Sequence, residues 1–90
     1  MSYNVILTDE AQDHLTRLNH DEPSAYQKAL RLIAELYEHP RVGTGHPEQL
    51  KGEEDRWSRR ITRKHRLVYE IHDTEVLVLV LAAYGHYSDK

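Results

Sequence analysis

Between residues 75 and 83 the chain reads EVLVLVLAA, one acid followed by eight apolar residues. A strand wetted on one face alternates polar and apolar side chains, so this run suits a strand covered on both faces and central in its sheet. Such a strand needs neighbours, and a chain of 90 residues must supply them from what remains. Domains run from about 50 to 250 residues, so residues 1–90 are expected to form a single domain around one core. At this length folding hides roughly 60 to 70% of the surface that the open chain exposes. There is no cysteine, which excludes disulfides and thiolate metal sites. Nothing resembles a signal peptide or an apolar stretch long enough to span a bilayer, so a cytoplasmic location is expected.

The rest of the chain supplies the partners. Residues 3–7 (YNVIL) are rich in β-formers, and Thr8 followed by Asp9 and Glu10 reads as an N-cap with acids in the first helical turn. Ala11, Leu15 and Leu18 recur at i, i+4 and i+7, so a first helix is expected to about Leu18, with a break at Asn19, His20 and Asp21. Glu22 and Pro23 suit the start of a second helix. Tyr26, Ala29, Leu30, Ile33, Leu36 and Tyr37 form its expected apolar face, and His39 and Pro40 end it. From 41 to 55 periodicity stops, and glycines and a proline mark a long loop of the kind that often carries function. Trp57, Arg59 and Ile61 share one face of a strand expected over 56–62, and Leu67, Tyr69 and Ile71 one face of another over 66–72. The short link 63–65 implies a hairpin. The order β-α-α-β-β-β predicts an α+β domain: two N-terminal helices packed on a small antiparallel sheet.

A net charge of −3 argues against a nucleic-acid partner, because affinity for phosphate backbones comes mainly from clustered Lys and Arg. Resolved by position, the balance is uneven. Residues 1–40 hold three basic and seven acidic side chains, residues 41–70 eight and five, and residues 71–90 one and three. Within 56–66 stand Arg56, Arg59, Arg60, Arg63, Lys64 and Arg66 with no acid among them, a local basic stripe on an acidic body. There is no cysteine nucleophile, Gly-rich phosphate loop, dinucleotide fingerprint or nucleophile elbow. The seven histidines include no pair at i, i+4, so no metal is expected. What remains is Arg, Lys, Glu and His spread over the loop, the hairpin and the C-terminus. Cleavage of an RNA phosphodiester uses such a mixture: a base for the 2′-hydroxyl proton, an acid for the departing 5′-oxygen, and cations for the phosphorane.

Three segments carry a resemblance: GTGHPEQLKGE at 43–53, RWSRRITRKHRLVYEI at 56–71, and HY at 86–87. In these the chain resembles the YoeB/Txe toxins of bacterial toxin–antitoxin pairs, within the RelE superfamily of ribosome-dependent mRNA endonucleases. The resemblance implies a RelE-like fold and a cofactor-free endoribonuclease that cuts mRNA in the ribosomal A site by 2′-hydroxyl attack. It implies Glu48 as general base, Arg66 as the phosphate-binding arginine, His86 as general acid and Tyr87 as a residue positioning the nucleotide. Lys51 and Arg60 correspond to further basic residues lining the site. Arg59, Arg63 and Lys64 are read as surface charge meeting ribosomal RNA, and His65 and Trp57 as structural. The implied partners are a YefM/Axe-like antitoxin, the 70S ribosome with its mRNA, a second copy of the toxin, and promoter DNA through the antitoxin complex only. No membrane is implied.

Each assignment has a plainer alternative. Glu48 in an irregular loop can be a solvated acid, and His86 after an apolar strand a capping imidazole, although imidazole can give up a proton near neutral pH. Arg66 can be a solvated edge residue, although planar contact to phosphate is what a guanidinium does best. Ser88, Asp89 and Lys90 follow Tyr87, so a free tyrosine carboxylate takes no part, and Gly85 precedes the pair. The competing expectation is a non-catalytic RelE/ParE-superfamily module that is bound by an antitoxin and acts on another target such as gyrase. A pure binder has no need of an acid and a base beside a cationic site, which favours the enzyme.

Overall fold

Thr8 decides where the first helix begins. In the computed structural model, which describes residues 2–85, Thr8 is extended and its hydroxyl accepts the Ala11 N–H at 3.0 Å, opening α1 (Asp9–Asp21). Such a cap is worth about 1 kcal/mol, and Asp9 and Glu10 place negative charge where the helix start favours it. α2 (Pro23–Leu36) follows at once, with its proline in the first turn, where a missing N–H is harmless. β1 (Asn4–Leu7) precedes the helices. β2 (Glu48–Gln49), β3 (Arg56–Arg60), β4 (Arg66–His72) and β5 (Leu77–Ala82) follow them.

The strands form one sheet in the order β1-β5-β4-β3-β2. The expected α+β architecture of two helices and a small sheet is present, with two corrections. The sheet is mixed rather than antiparallel, because β1 runs parallel to β5, with Val5 opposite Val78 and Leu7 opposite Val80. β1 and β5 are far apart in sequence, so no hairpin dictates their relative direction. The loop also contributes a short fifth strand, β2, which pairs with β3. β5 is interior, between β1 and β4, but β4 is the middle strand. Nor is β5 covered equally on its two sides: Val78 and Val80 are fully buried, whereas Leu77, Leu79 and Leu81 are half-buried. It starts at Leu77 because Val76, at φ 53°, still belongs to the turn and donates its N–H to Asp73.

Alternation sorts the sheet into two faces. Leu67, Tyr69 and Ile71 of β4 and Val78 and Val80 of β5 meet Leu15 and Leu18 of α1 and Leu32 and Leu36 of α2 in one core. Each fully buried leucine contributes about 1.5 to 3 kcal/mol. On α2 the buried stripe is Ala25, Ala29, Leu32 and Leu36, rotated from the sequence expectation, while Leu30 and Tyr37 are exposed. The opposite face is the more polar one, with Ser58 and Val68 buried at its middle. Across it Ser58 stands opposite both Glu48 and Val68, Arg60 opposite Arg66, and Arg56 opposite Glu70. A bulge breaks the β4 and β5 register: Tyr69 pairs with Val80 but Val68 with Ala82. The extra residue resets the alternation and turns Ala83 into the core.

Candidate active site

The loop that leads to Glu48 is held by a buried guanidinium. Arg59 has no solvent exposure. Its Nε donates to the Tyr69 hydroxyl at 3.1 Å and its Nη1 to Glu35 Oε1 at 2.7 Å and to the Thr44 carbonyl at 3.3 Å. Its Nη2 donates to the His39 carbonyl and, at 2.9 Å, to that of Val42. All five N–H groups are thereby used. Tyr69 in turn donates to the Pro40 carbonyl at 2.7 Å, so the sheet grips the chain from 39 to 44 at several points. Burial would raise the Glu35 carboxyl, but the Thr44 hydroxyl and N–H and the Arg59 guanidinium outweigh it and hold that carboxyl below its ordinary range. Burial pushes the Tyr69 phenol up, against the opposing pull of Arg59.

Two glycines make this close approach feasible. Gly43 lies at φ 126°, where a Cβ would collide with Glu35 Oε1, and Gly45 lies at φ 86°, where a Cβ would come within 2.9 Å of the Arg60 carbonyl. The Gly45 carbonyl accepts the Arg60 N–H at 2.7 Å, which joins the loop to the edge of β3 just before Glu48. His46 is also at positive φ, 54°, directly before Pro47, a conformation seldom adopted by a residue preceding proline.

Arg59 thus corrects the sequence expectation: it is not surface charge toward RNA but the anchor of the loop. The basic stripe does not form one surface. Arg56 is held by Glu70 at 2.6 Å and Glu53 at 2.9 Å. The hydrogen bond from Arg56 outweighs burial and, with His72, lowers the Glu70 carboxyl. Lys64, in the turn after β3, reaches Glu22 at 3.3 Å, and Arg63 lines the same shallow cavity with Thr62. Lys51 lies in the turn after β2, in a shallow cavity that Glu53 and Glu54 also line.

On the sheet face opposite the core three of the expected residues do come together. Arg60 and Arg66 are directly opposite across β3 and β4, so their side chains leave the same face. Glu48, on β2, approaches Arg66 with Oε1 3.8 Å from Nη1, a loose pair in which the carboxylate is 61% exposed and the guanidinium 23%. Arg60 is exposed, and two like charges side by side are unfavourable until an anion joins them. The backbone N–H of Arg66 donates to the Gly85 carbonyl at 2.9 Å, so the described chain ends beside this cluster. His86 and Tyr87 lie outside the described residues. Glu35 and Thr44 carry no signal in the sequence, and Tyr69 shows only as a residue on the Leu67 and Ile71 face; the one pointer to the anchor is an arginine at a core-facing position between Trp57 and Ile61.

A mixed five-stranded sheet with two helices packed on one face is the RelE-like fold. The family model describing YoeB-like toxins of bacterial type II toxin–antitoxin systems matches residues 7–87, and the chain belongs to that family. It is 44% identical to toxin YoeB of Mycobacterium bovis over 72 residues, which is 79% of this chain and 84% of that protein. Among solved structures, the YoeB/ParE toxin from Agrobacterium tumefaciens is similar with a TM-score of 0.84 at 30% identity, covering 93% of this chain and 99% of that one. The YoeB dimer from Staphylococcus aureus has a TM-score of 0.80 at 25% identity over 97% of this chain and 100% of that one. The same organism's YoeB–YefM complex shares the fold, with a TM-score of 0.76 at 24% identity and the same coverage.

Proposed function

We propose that this toxin is a ribosome-dependent endoribonuclease that cuts mRNA in the A site and so stops translation. The observation that carries the reading is the cross-strand pair Arg60 and Arg66 with Glu48 beside it. Such a pair favours a bound phosphodiester, and a carboxylate next to that group can act on the neighbouring 2′-hydroxyl. In this reaction Arg66 holds the scissile phosphate and Glu48 takes the 2′-hydroxyl proton. The 2′-oxygen attacks phosphorus, the bond to the 5′-oxygen breaks, and a 2′,3′-cyclic phosphate remains. His86 gives its proton to the departing 5′-oxygen, and Tyr87 positions the nucleotide. Lys51 and Arg60 stabilise the charge that builds on phosphorus, an effect worth about 10²- to 10³-fold per donor in comparable sites. Every group required is a side chain of this protein.

The exposure of Glu48 gives the ribosome a role. A base in open water has little advantage over water itself, and mRNA seated over Glu48 would exclude solvent from the carboxylate. Arg63 and Lys64 contribute sequence-independent, salt-sensitive contact to ribosomal RNA. A YefM/Axe-like antitoxin covers the site until it is removed, and promoter DNA is met only through that complex. The S. aureus YoeB–YefM complex supports this partner, and the S. aureus dimer supports association with a second copy.

Programmed 70S ribosomes incubated with wild type, Glu48→Ala, Arg66→Ala and His86→Ala test the reading. Cleavage by wild type is expected, with losses of about 10²- to 10⁴-fold in the variants. Intact mRNA with wild type would sink it and favour a binding module acting on another target such as gyrase. Undiminished cleavage by His86→Ala would remove the acid assignment alone.

A further inference from the structure

Two histidines hold the end of the described chain. The Ala83 N–H donates to His14 Nδ1 at 3.1 Å and the Gly85 N–H donates to His65 Nδ1 at 2.9 Å. A backbone N–H can only donate, so Nδ1 is the bare nitrogen of each neutral ring and the proton stands on Nε2. Both Nε2 atoms face carboxylates: Glu22 lies 2.8 Å from His65, and Glu10 lies 3.6 Å from His14. The Tyr84 ring packs against His65 at 4.4 Å between centroids, beneath the Arg17 guanidinium at 4.2 Å, and its hydroxyl donates to Asp21 at 2.9 Å.

His65 is the more buried of the two, 3% exposed. With Arg66 it grips both backbone groups of Gly85: His65 Nδ1 takes the N–H, and the Arg66 N–H bonds the carbonyl. Gly85 sits at φ 77°, a region open to glycine, so its backbone direction depends on such anchors.

We propose that His65 is a positioning residue for RNA cleavage: by accepting the Gly85 N–H beside Arg66, it sets the point from which the chain delivers His86 and Tyr87. Glu22 contributes by fixing the ring tautomer. The role rests on the nuclease reading above. A displacement of about 1 Å in a reacting group can cost on the order of 100-fold in rate, so a small backbone anchor has leverage on the chemistry.

Two variants separate positioning from mere support. His65→Asn keeps an oxygen where Nδ1 stands but loses the reach to Glu22; His65→Gln keeps a donor toward Glu22 but loses the acceptor for Gly85. Full-length proteins are compared in single-turnover cleavage on programmed ribosomes, with ribosome affinity, urea stability and Gly85 amide exchange measured alongside. His65→Gln is expected to cut about 10- to 100-fold more slowly at unchanged ribosome affinity with faster Gly85 exchange, while His65→Asn stays within about fivefold of wild type. Equal slowing of the two in proportion to lost stability, or wild-type cutting by His65→Gln, overturns the positioning role. A Gly85 amide unprotected in wild type overturns the anchor itself, whatever the cleavage result. Wild type that leaves mRNA intact overturns the nuclease reading, and the positioning role with it.

Discussion

Arg59 brings a full charge to a place without solvent, and it is tolerated there because Glu35, the Tyr69 hydroxyl and three carbonyls take its five N–H groups. Replacing it by Met keeps volume and removes every donor. Arg59→Met is expected to lose about 3 to 5 kcal/mol in urea unfolding, and Arg59→Lys to restore little of it, since a single ammonium cannot replace the planar fork. Glu48 belongs to a different regime. It is exposed and loosely paired, so Glu48→Gln is expected to change stability by no more than about 0.5 kcal/mol while cleavage falls at least about 100-fold. A stability loss as large as that of Arg59→Met would show that Glu48 is structural. The sequence held two conflicting signals for Arg59. Charge counting sent it to the surface, and alternation placed it between Trp57 and Ile61 on the core face. Alternation prevails because strand period fixes a side chain's direction whatever its polarity. Its partners were not legible, since Glu35 lies 24 residues away on another element and only the fold brings it near.

At the scale of elements, local chemistry was readable and pairing was not. The Thr8 cap, the proline opening α2 and the two faces of β3 and β4 follow from residue type and period. The parallel placement of β1 against β5 depends on non-local packing, and the two-residue β2 is too short to show any period. The α2 stripe was rotated because Leu30 and Tyr37 are apolar yet point outward, and exposed apolar residues are common. Two substitutions probe these elements. Thr8→Ala removes the cap of α1 and is expected to cost about 1 kcal/mol in urea unfolding, with cleavage retained. Gly45→Ala forces a Cβ toward the Arg60 carbonyl at a positive φ and is expected to cost about 1 to 3 kcal/mol. Because the loop carries Glu48, it should also slow cleavage beyond what the stability loss explains. A Gly45→Ala protein as stable and active as wild type would contradict the loop's tight seating.

Over the whole molecule, charge that nearly cancels in sum is arranged largely as hydrogen-bonded pairs. The carboxyls of Asp21, Glu22, Glu35, Glu70 and Asp73 are all held below their ordinary values of 3.8 for Asp and 4.5 for Glu. The leading causes are hydrogen bonds from His20 to Asp21, His65 to Glu22, Arg56 to Glu70 and Arg41 to Asp73; at Glu35 burial opposes and is outweighed. A depressed folded value means that the unfolded chain binds protons first. The stabilisation is therefore complete above the ordinary carboxylate range and lost as pH falls through it toward the folded values. Urea midpoints are expected to hold from neutral pH down to about 5 and then drop steeply toward pH 3; a flat profile would contradict the pairing.

The sheet face opposite the core carries Glu48, Arg60 and Arg66. The most direct measurement on its proposed chemistry maps the termini left on a defined mRNA after wild-type protein acts on programmed 70S ribosomes. Fragments ending in a 2′,3′-cyclic phosphate, with 5′-hydroxyl partners, are expected, made only when ribosomes are present. Intact mRNA, or fragments with 3′-hydroxyl ends, would contradict 2′-hydroxyl attack assisted by Glu48 and Arg66.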